Sequence, residues 1–289
     1  MNKAAKTAIL VFAACLIAPL SLLVHDFMLD GLKVPYPKEI HLPVWASLFG
    51  LFVRLAALAG IMRLAAPRQD AKSRALLAMG AGLTMLMLGE TIRVINITSF
   101  ILASWPYALL DAAPKAIVFF FEASIVAYAA LRGTRWPGLL AIIVVVALAG
   151  SLVSAPWLTD QIGHWRGAHF GDVSEHYKVP YPPKIKAVIF STFIEPTTAA
   201  FILAGLVWGK LRGGLMGKVA LFTLLMLLVR GRVVSLLLFS FWVRQPLPVA
   251  FLSEGQFFLE TAVLALLVGL AWGLLQGPRV RRSQAGALA

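Results

Sequence analysis

One cysteine, Cys15, stands in the 289-residue chain, so neither an internal disulfide nor a thiolate metal cluster can form. Carboxylates are sparse too: 13 Asp and Glu face 26 Lys and Arg, leaving a formal net charge of +13. Charged residues of both signs make up only 13% of the chain while 60% is hydrophobic, with a mean hydropathy of +0.84. A soluble domain of this length has no use for so much apolar surface, and a multi-span membrane protein does. Several signatures are missing as well. There is no Gly-Lys-Ser/Thr phosphate loop, no His-Glu-x-x-His, no Gly-x-Ser-x-Gly and no Glu-x-x-His. Their absence removes the motif-borne routes to nucleotide hydrolysis, zinc proteolysis, serine hydrolysis and di-iron chemistry.

Histidine is missing from the apolar runs. His25 and His41 fall in the loop after the first run, and His164, His169 and His176 in a later loop. Haem iron commonly takes axial histidine, so a membrane-embedded haem is not expected. Asp160, Asp172 and Glu175 lie near the second histidine group, but the spacing matches no recognised ligand pattern. Solvated loop residues are the expectation, and no cofactor or metal follows from the sequence.

What the chain does have is eight apolar runs, at about 7–24, 42–65, 75–103, 114–131, 138–155, 185–209, 217–243 and 250–275, each near the roughly 20 residues that cross a bilayer. The basic clusters alternate with them. Lys3 and Lys6 precede the first run; Arg63, Arg68, Lys72 and Arg74 lie between the second and third, and Arg132 and Arg135 between the fourth and fifth. Lys210, Arg212 and Lys218 lie between the sixth and seventh, and Arg279, Arg281 and Arg282 follow the last. Eight crossings put all of these on one side, which is the positive-inside pattern of an inner-membrane protein with both termini cytoplasmic and loops 25–41 and 156–184 outside. The positive charge therefore reads as topology, not nucleic-acid binding. Lys3 and Lys6 ahead of an apolar run also suit a signal peptide. The run continues past Cys15 to Leu23, however, and a retained first span is expected.

The chain also repeats itself. Lys33-Val34-Pro35-Tyr36-Pro37 returns as Lys178-Val179-Pro180-Tyr181-Pro182, 145 residues on. Phe119-Phe120-Phe121-Glu122-Ala123 is echoed by Phe257-Phe258-Leu259-Glu260-Thr261 at 138 residues, and Arg93 by Arg232 at 139. A kept order at near-constant offset indicates duplication. The expected fold class is all-α, a polytopic integral membrane protein with eight transmembrane helices as two parallel four-helix repeats, 1–132 and 133–289. An even number of spans returns the chain to its starting side, so the repeats relate by an axis along the membrane normal. The Pro-Tyr-Pro element forces extended backbone ahead of a helix, with Tyr36 and Tyr181 as interfacial anchors or as lips of a central opening.

Charges inside apolar runs point to a site, because each is costly unless it faces a cavity or a partner. Arg54, Glu90, Arg93, Glu122, Glu195, Arg230, Arg232, Glu254 and Glu260 are such residues. Counted from the outer ends, Glu122 lies roughly 12 Å deep, Glu195 and Glu260 roughly 15 Å, and Arg54 roughly 18 Å. Glu90 and Arg93, three apart, share a helix face and can pair. Arg230 and Arg232, two apart, should diverge. Arg54 and Glu195 sit on the second helices of the two halves, opposite in charge and about one turn apart in the common frame, where they could face each other.

These residues read in two ways. As structure they are Arg–Glu pairs that lock the halves together. As function, Arg54, Arg93, Arg230 and Arg232 contact an anion with Glu90, Glu122, Glu195 and Glu260 around it, Glu122 and Glu260 being the titratable pair. The expected function is a transporter or binding protein with a charged, outward-facing cavity for an anionic or lipid-like substrate. Membrane lipid and an anionic or amphipathic small molecule are the expected partners, and nucleic acid is not. The rival readings are an enzyme acting on a lipid-linked substrate at the extracytoplasmic leaflet, with the same glutamates as acid and base, and a non-catalytic subunit bound to a membrane-protein partner.

Overall fold

The computed structural model describes residues 3–37, 42–65, 70–102, 104–170 and 183–276. The second Pro-Tyr-Pro element, His41, His176 and the basic cluster 279–282 lie outside the described residues. Within them the protein is all-helical, with no strand. The helices are α1 (Lys3–Asp26), α2 (Val44–Ala65), α3 (Ala71–Leu88), α4 (Thr91–Leu102), α5 (Trp105–Leu131), α6 (Trp136–Ala149), α7 (Ala155–Phe170), α8 (Pro183–Thr192), α9 (Ile194–Val207), α10 (Leu215–Val229), α11 (Arg232–Leu237) and α12 (Leu247–Gln276). Local chemistry sets several ends. Asp70 accepts the Ser73 N–H at 3.2 Å ahead of α3, and Ser104 accepts the Tyr107 N–H at 3.3 Å ahead of α5, with Pro106 in the first turn. Gly133, at φ 81°, takes the left-handed turn that ends α5.

Six helical segments are long and apolar enough to cross a membrane: Ala4–Gly31, Val44–Ala65, Trp105–Leu131, Trp136–Phe170, Pro183–Lys210 and Leu247–Gln276. A seventh candidate is the pair α3–α4, bent by 44°. The remaining expected run, 217–243, fragments into the 15-residue α10, then α11 and a 3₁₀ turn. The expected outer loop 156–184 is also corrected, because the chain stays helical to Phe170. Pro156 should end a helix there, since it offers no N–H to the preceding turn. The π-helical turn Gly150–Ser154 just before it widens the backbone and absorbs that loss.

Neighbours follow a regular scheme. α1 packs along α12 and α9, while α6 packs along α5 and α2, and α7 along α5. α3 lies against α5 and α9, and α10 lies against α12 and α2; α4 lies on α5 as α11 lies on α12. The seams are built from small residues, among them Ala59, Ala81, Ala123, Ala127, Ala200 and Ala204. At Gly82 a Cβ would stand 2.8 Å from the Phe120 carbonyl oxygen, so α3 and α5 touch backbone to backbone. Close approach of this kind holds helices together where lipid removes the hydrophobic gain of burying leucine. Leucine, valine and phenylalanine side chains such as Phe12, Leu76, Phe121, Val145 and Val153 face outward instead.

The two ends of the bundle differ. At one, Lys6 lies 5.5 Å over the Trp272 ring, Arg63 lies 4.3 Å over Trp136, and Lys218 donates to the Trp208 carbonyl. At the other, Lys186 bridges Asp26 at 3.2 Å and Asp30 at 2.5 Å, and Arg166 pairs with Asp111. Residues 33–37 form a short strap at this second end. Gln245 donates to the Tyr36 carbonyl at 2.9 Å, and Ser253 and Gln256 donate to Pro35 at 2.7 and 3.4 Å. The first Pro-Tyr-Pro element is thus held down on α12.

Candidate functional site

Two helices break inside the bundle, and charge gathers at both breaks. Between α3 and α4 the chain turns at Gly89-Glu90, with Glu90 at φ 59°. Between α10 and α11 it turns at Arg230-Gly231, with Gly231 at φ 71°. A non-glycine residue in the left-handed region costs about 1–2 kcal/mol, so Glu90 is held there by its side-chain partners. Its carboxylate accepts Arg93 on one oxygen and Arg230 on the other, and Arg232 approaches to 3.9 Å. Arg230 also reaches Glu260 at 3.8 Å, and Glu260 lies 3.7 Å from His25. His25 completes the line with a 2.7 Å hydrogen bond to the Tyr36 hydroxyl.

Several expectations change here. Arg230 and Arg232 do not diverge, because Gly231 interrupts the helix on which that argument depended, and both guanidinium groups reach Glu90. His25 is not a loop residue. It lies in the last turn of α1 and is 6% exposed, so the premise that no histidine enters a span fails. His164 and His169 lie on the helix α7, with His164 3.2 Å from Asp160 and His169 stacked on Trp165. Tyr36, 38% exposed, packs its ring against His25 and Phe257.

Arg54 and Glu195 do not meet either. Glu195, on α9, accepts the Ile92 and Arg93 N–H groups at 3.0 and 2.6 Å, capping the first turn of α4. Arg54, on α2, donates to the Val229 carbonyl at 3.2 Å, at the end of α10. A helix N-terminus presents unpaired N–H groups and partial positive charge, a C-terminus unpaired carbonyls and partial negative charge. The opposite signs of these two side chains follow from the opposite helix ends they serve. Glu254 accepts a hydrogen bond from the Ser235 hydroxyl, tying α12 to α11.

Glu122 stands apart from the Glu90 network. It is 5% exposed, its Oε1 has no hydrogen-bond partner, and it makes no ion pair among the described residues. It lines a pocket of about 450 Å³ together with Arg54, Thr91, Asp111, Lys115 and Ser151. On its other side it lines a crevice of about 440 Å³ walled by Ile117, Phe121, Ile125, Val153 and Trp157. Phe121, Val153 and Trp157 are each more than half exposed on the outer surface of the bundle. Gly150 permits this arrangement, because a Cβ there would run into the Glu122 carboxylate. Arg54 joins the two regions. Its guanidinium lies 4.5 Å over Phe119 in the pocket wall, and its Nε bonds the residue preceding Arg230.

The structure thus brings Glu90, Arg93, Arg230, Arg232 and Glu260 into one network, sets Arg54 beside it, and leaves Glu122 in a different wall. Glu195 serves as a helix cap. Asp111 and Lys115 carry no signal in the sequence, and His25 reads there as a loop residue. Tyr36 is marked there by the Pro-Tyr-Pro echo, as an anchor or a lip and not as a partner of His25. Within the network Arg93 Nε, Arg230 Nε, Arg232 Nε and Glu260 Oε1 are buried without a hydrogen-bond partner. Comparison with family models, curated proteins and solved structures finds no match to the chain.

Proposed function

We propose that the chain is a transporter or binding protein of the inner membrane whose charged pocket takes an anionic or lipid-like amphiphile from the outer side. The observation that carries this reading is the position of Glu122 between a charged pocket and an apolar crevice. A headgroup with a phosphate or carboxylate suits Arg54 and Lys115, and an acyl chain suits the crevice along Ile117, Phe121 and Ile125. An unpaired buried carboxylate is costly as pure scaffolding, which weighs against the subunit reading. Broken helices meeting near mid-bundle are where transporters hold substrates, and both breaks here lie against Arg54: its Nη2 is 3.9 Å from a Cβ built on Gly89, its Cδ 3.0 Å from one built on Gly231. An enzyme acting on a lipid-linked substrate would use the same pocket, and turnover rather than exchange of the lipid would mark it.

In nanodiscs, a phospholipid carrying a photoactivatable group at mid-chain is expected to label the walls of the crevice. Arg54→Gln and Lys115→Gln should each weaken labelling by roughly tenfold, the loss of one charge-assisted contact, and Ala149→Phe should block the crevice. Labelling spread evenly over the outward surface and indifferent to these changes would refute the proposal.

Eight spans in two four-helix repeats is the topology proposed with it. The neighbour scheme supports it: exchanging α1 with α6–α7, α2 with α9, α3 with α10, α4 with α11 and α5 with α12 maps the principal packing pairs onto one another. The basic end of the bundle would then be cytoplasmic. Labelling of a cysteine introduced at Gln161 in intact cells is expected to succeed with a membrane-impermeant reagent, and protection of that position would overturn the orientation.

A further inference from the structure

Tyr36, His25 and Glu260 form a graded line from the surface inward. Tyr36 is 38% exposed, His25 6% and Glu260 2%. The hydroxyl–imidazole distance is 2.7 Å and the imidazole–carboxylate distance 3.7 Å. His25 Nδ1 is buried without a hydrogen-bond partner and faces Glu260 Oε2, while the other carboxylate oxygen, Oε1, lies toward Arg230, so the inner side of the imidazole is free to pass a proton to Oε2. The three residues come from α1, the strap and α12, and their placement is heavily supported. Phe257, one turn before Glu260, packs 5.0 Å from the His25 ring and 5.8 Å from the Tyr36 ring. Ser253, Gln256 and Gln245 pin the strap from the same side. Lys33, at φ 56°, and the Val34 N–H to Met28 bond of 2.9 Å turn the strap back onto α1. Four hydrogen bonds on five residues of surface chain hold one hydroxyl against one imidazole nitrogen.

We propose that Tyr36–His25–Glu260 is a proton path that connects the strap side of the protein to the buried ion-pair network. Each hop is balanced. A hydronium ion of the acidified outer medium gives a proton to the Tyr36 oxygen and departs as water; the original Tyr36 O–H bond breaks, and the proton it releases forms an N–H bond at His25 Nε2. The Nδ1–H bond of the same ring then breaks, and its proton forms an O–H bond on Glu260 Oε2. Glu260 passes from carboxylate to acid, and His25 ends in its other neutral tautomer, to be reset by the reverse passage. A histidine can relay in this way because its two nitrogens exchange donor and acceptor roles.

The consequence lies in the groups that face Glu260. From the α10–α11 junction these are Arg230 and Arg232, from the α3–α4 break Glu90 and Arg93, and from α1 His25. Asp26, beside His25, is engaged by Lys186, and Glu195 on α9 is engaged by the α4 backbone. Protonating Glu260 therefore removes one of the carboxylates that face Arg93, Arg230 and Arg232, and leaves Glu90 as the one ion-paired with these guanidinium groups among the described residues. The broken ends of both interrupted helices belong to that cluster, so a proton delivered from outside acts on the elements beside the amphiphile pocket. The inference rests on the transport reading for its purpose: it names the proton as the coupling ion and the strap side as its entry. The path itself stands on geometry and is tested without any substrate.

The test uses the full-length protein in sealed proteoliposomes with the strap side outward. The external pH is dropped from about 8 to about 5, across the range in which a histidine relay works. The infrared carbonyl band of protonated Glu260 is followed in time and assigned by its frequency shift in Glu260→Asp. Tyr36→Phe keeps the ring packed on His25 and Phe257 and deletes only the hydroxyl. It is expected to slow growth of the band by about a hundredfold, the usual contribution of a positioned proton donor, without changing its final height. His25→Gln is expected to do the same, and where that variant does not accumulate, Tyr36→Phe decides. An unchanged rate in Tyr36→Phe, a band that follows internal rather than external pH, or no Glu260 band at all would each overturn the path. Photolabelling by the phospholipid should be unaffected in Tyr36→Phe. Failure of that labelling in the unsubstituted protein would remove the amphiphile reading and leave the proton path standing.

Discussion

Glu90→Gln is expected to lower the stability of the folded protein in detergent by about 3–5 kcal/mol, the cost of stripping a buried ion pair of one partner. Glutamine keeps the shape and much of the hydrogen bonding, so the loss reports charge. Without Glu90, the ion pair that remains to Arg93, Arg230 and Arg232 among the described residues is Arg230 with Glu260, at 3.8 Å. Thermal unfolding of the purified protein measures the effect. A second change sharpens it. Adding Arg93→Met to Glu90→Gln removes one of the orphaned charges and should restore part of the stability, an interaction a double-mutant cycle isolates. A Glu90→Gln protein that unfolds where the unsubstituted protein does would show that the network contributes nothing to folding.

Gly231→Ala should have the next largest effect, about 2–4 kcal/mol, from two separable causes. A side chain at φ 71° is strained by about 1–2 kcal/mol. The added Cβ also stands 3.0 Å from Arg54 Cδ, so Arg54 must shift against its bond to the Val229 carbonyl, and losing that charged hydrogen bond outright costs about 1–3 kcal/mol. Gly231→Asn divides the two, since asparagine tolerates the left-handed region yet keeps the clash. Gly209→Ala, with no atom within 4 Å of its Cβ and no positive φ, is the control and should unfold like the unsubstituted protein. Amphiphile labelling should fall in both Gly231 variants, because Arg54 lines the pocket. Equal stability of Gly231→Ala and Gly209→Ala would remove the argument that the break is built around Arg54.

The residues that misled were those whose reading assumed an unbroken helix. Two-residue spacing on a helix does place Arg230 and Arg232 on different faces. The glycine between them cancels the rule by turning the chain, and the sequence Arg-Gly-Arg carried that hint. In the sequence Arg54 and Glu195 read as a pair of opposite charges in a shared frame, but their signs are explained only by the helix ends they reach. The i, i+3 spacing of Glu90 and Arg93 predicts a pair, and they do pair, though Glu90 sits in the break and not on the helix.

The sequence by itself determined that the chain is helical, that most of it is apolar enough for a membrane, and that a small set of carboxylates and arginines lies where solvation is poor. Those are properties of composition and run length, which local sequence carries. The tertiary structure decided where helices break, which charges share a carboxylate, and that Glu122 lies alone between a charged pocket and an apolar crevice. It also drew His25 out of the loops and into the core beside Tyr36. The physical reason is range: a break or an ion pair is settled by groups far apart in the chain, as Arg54 and Val229 are at 175 residues, and no local pattern records them.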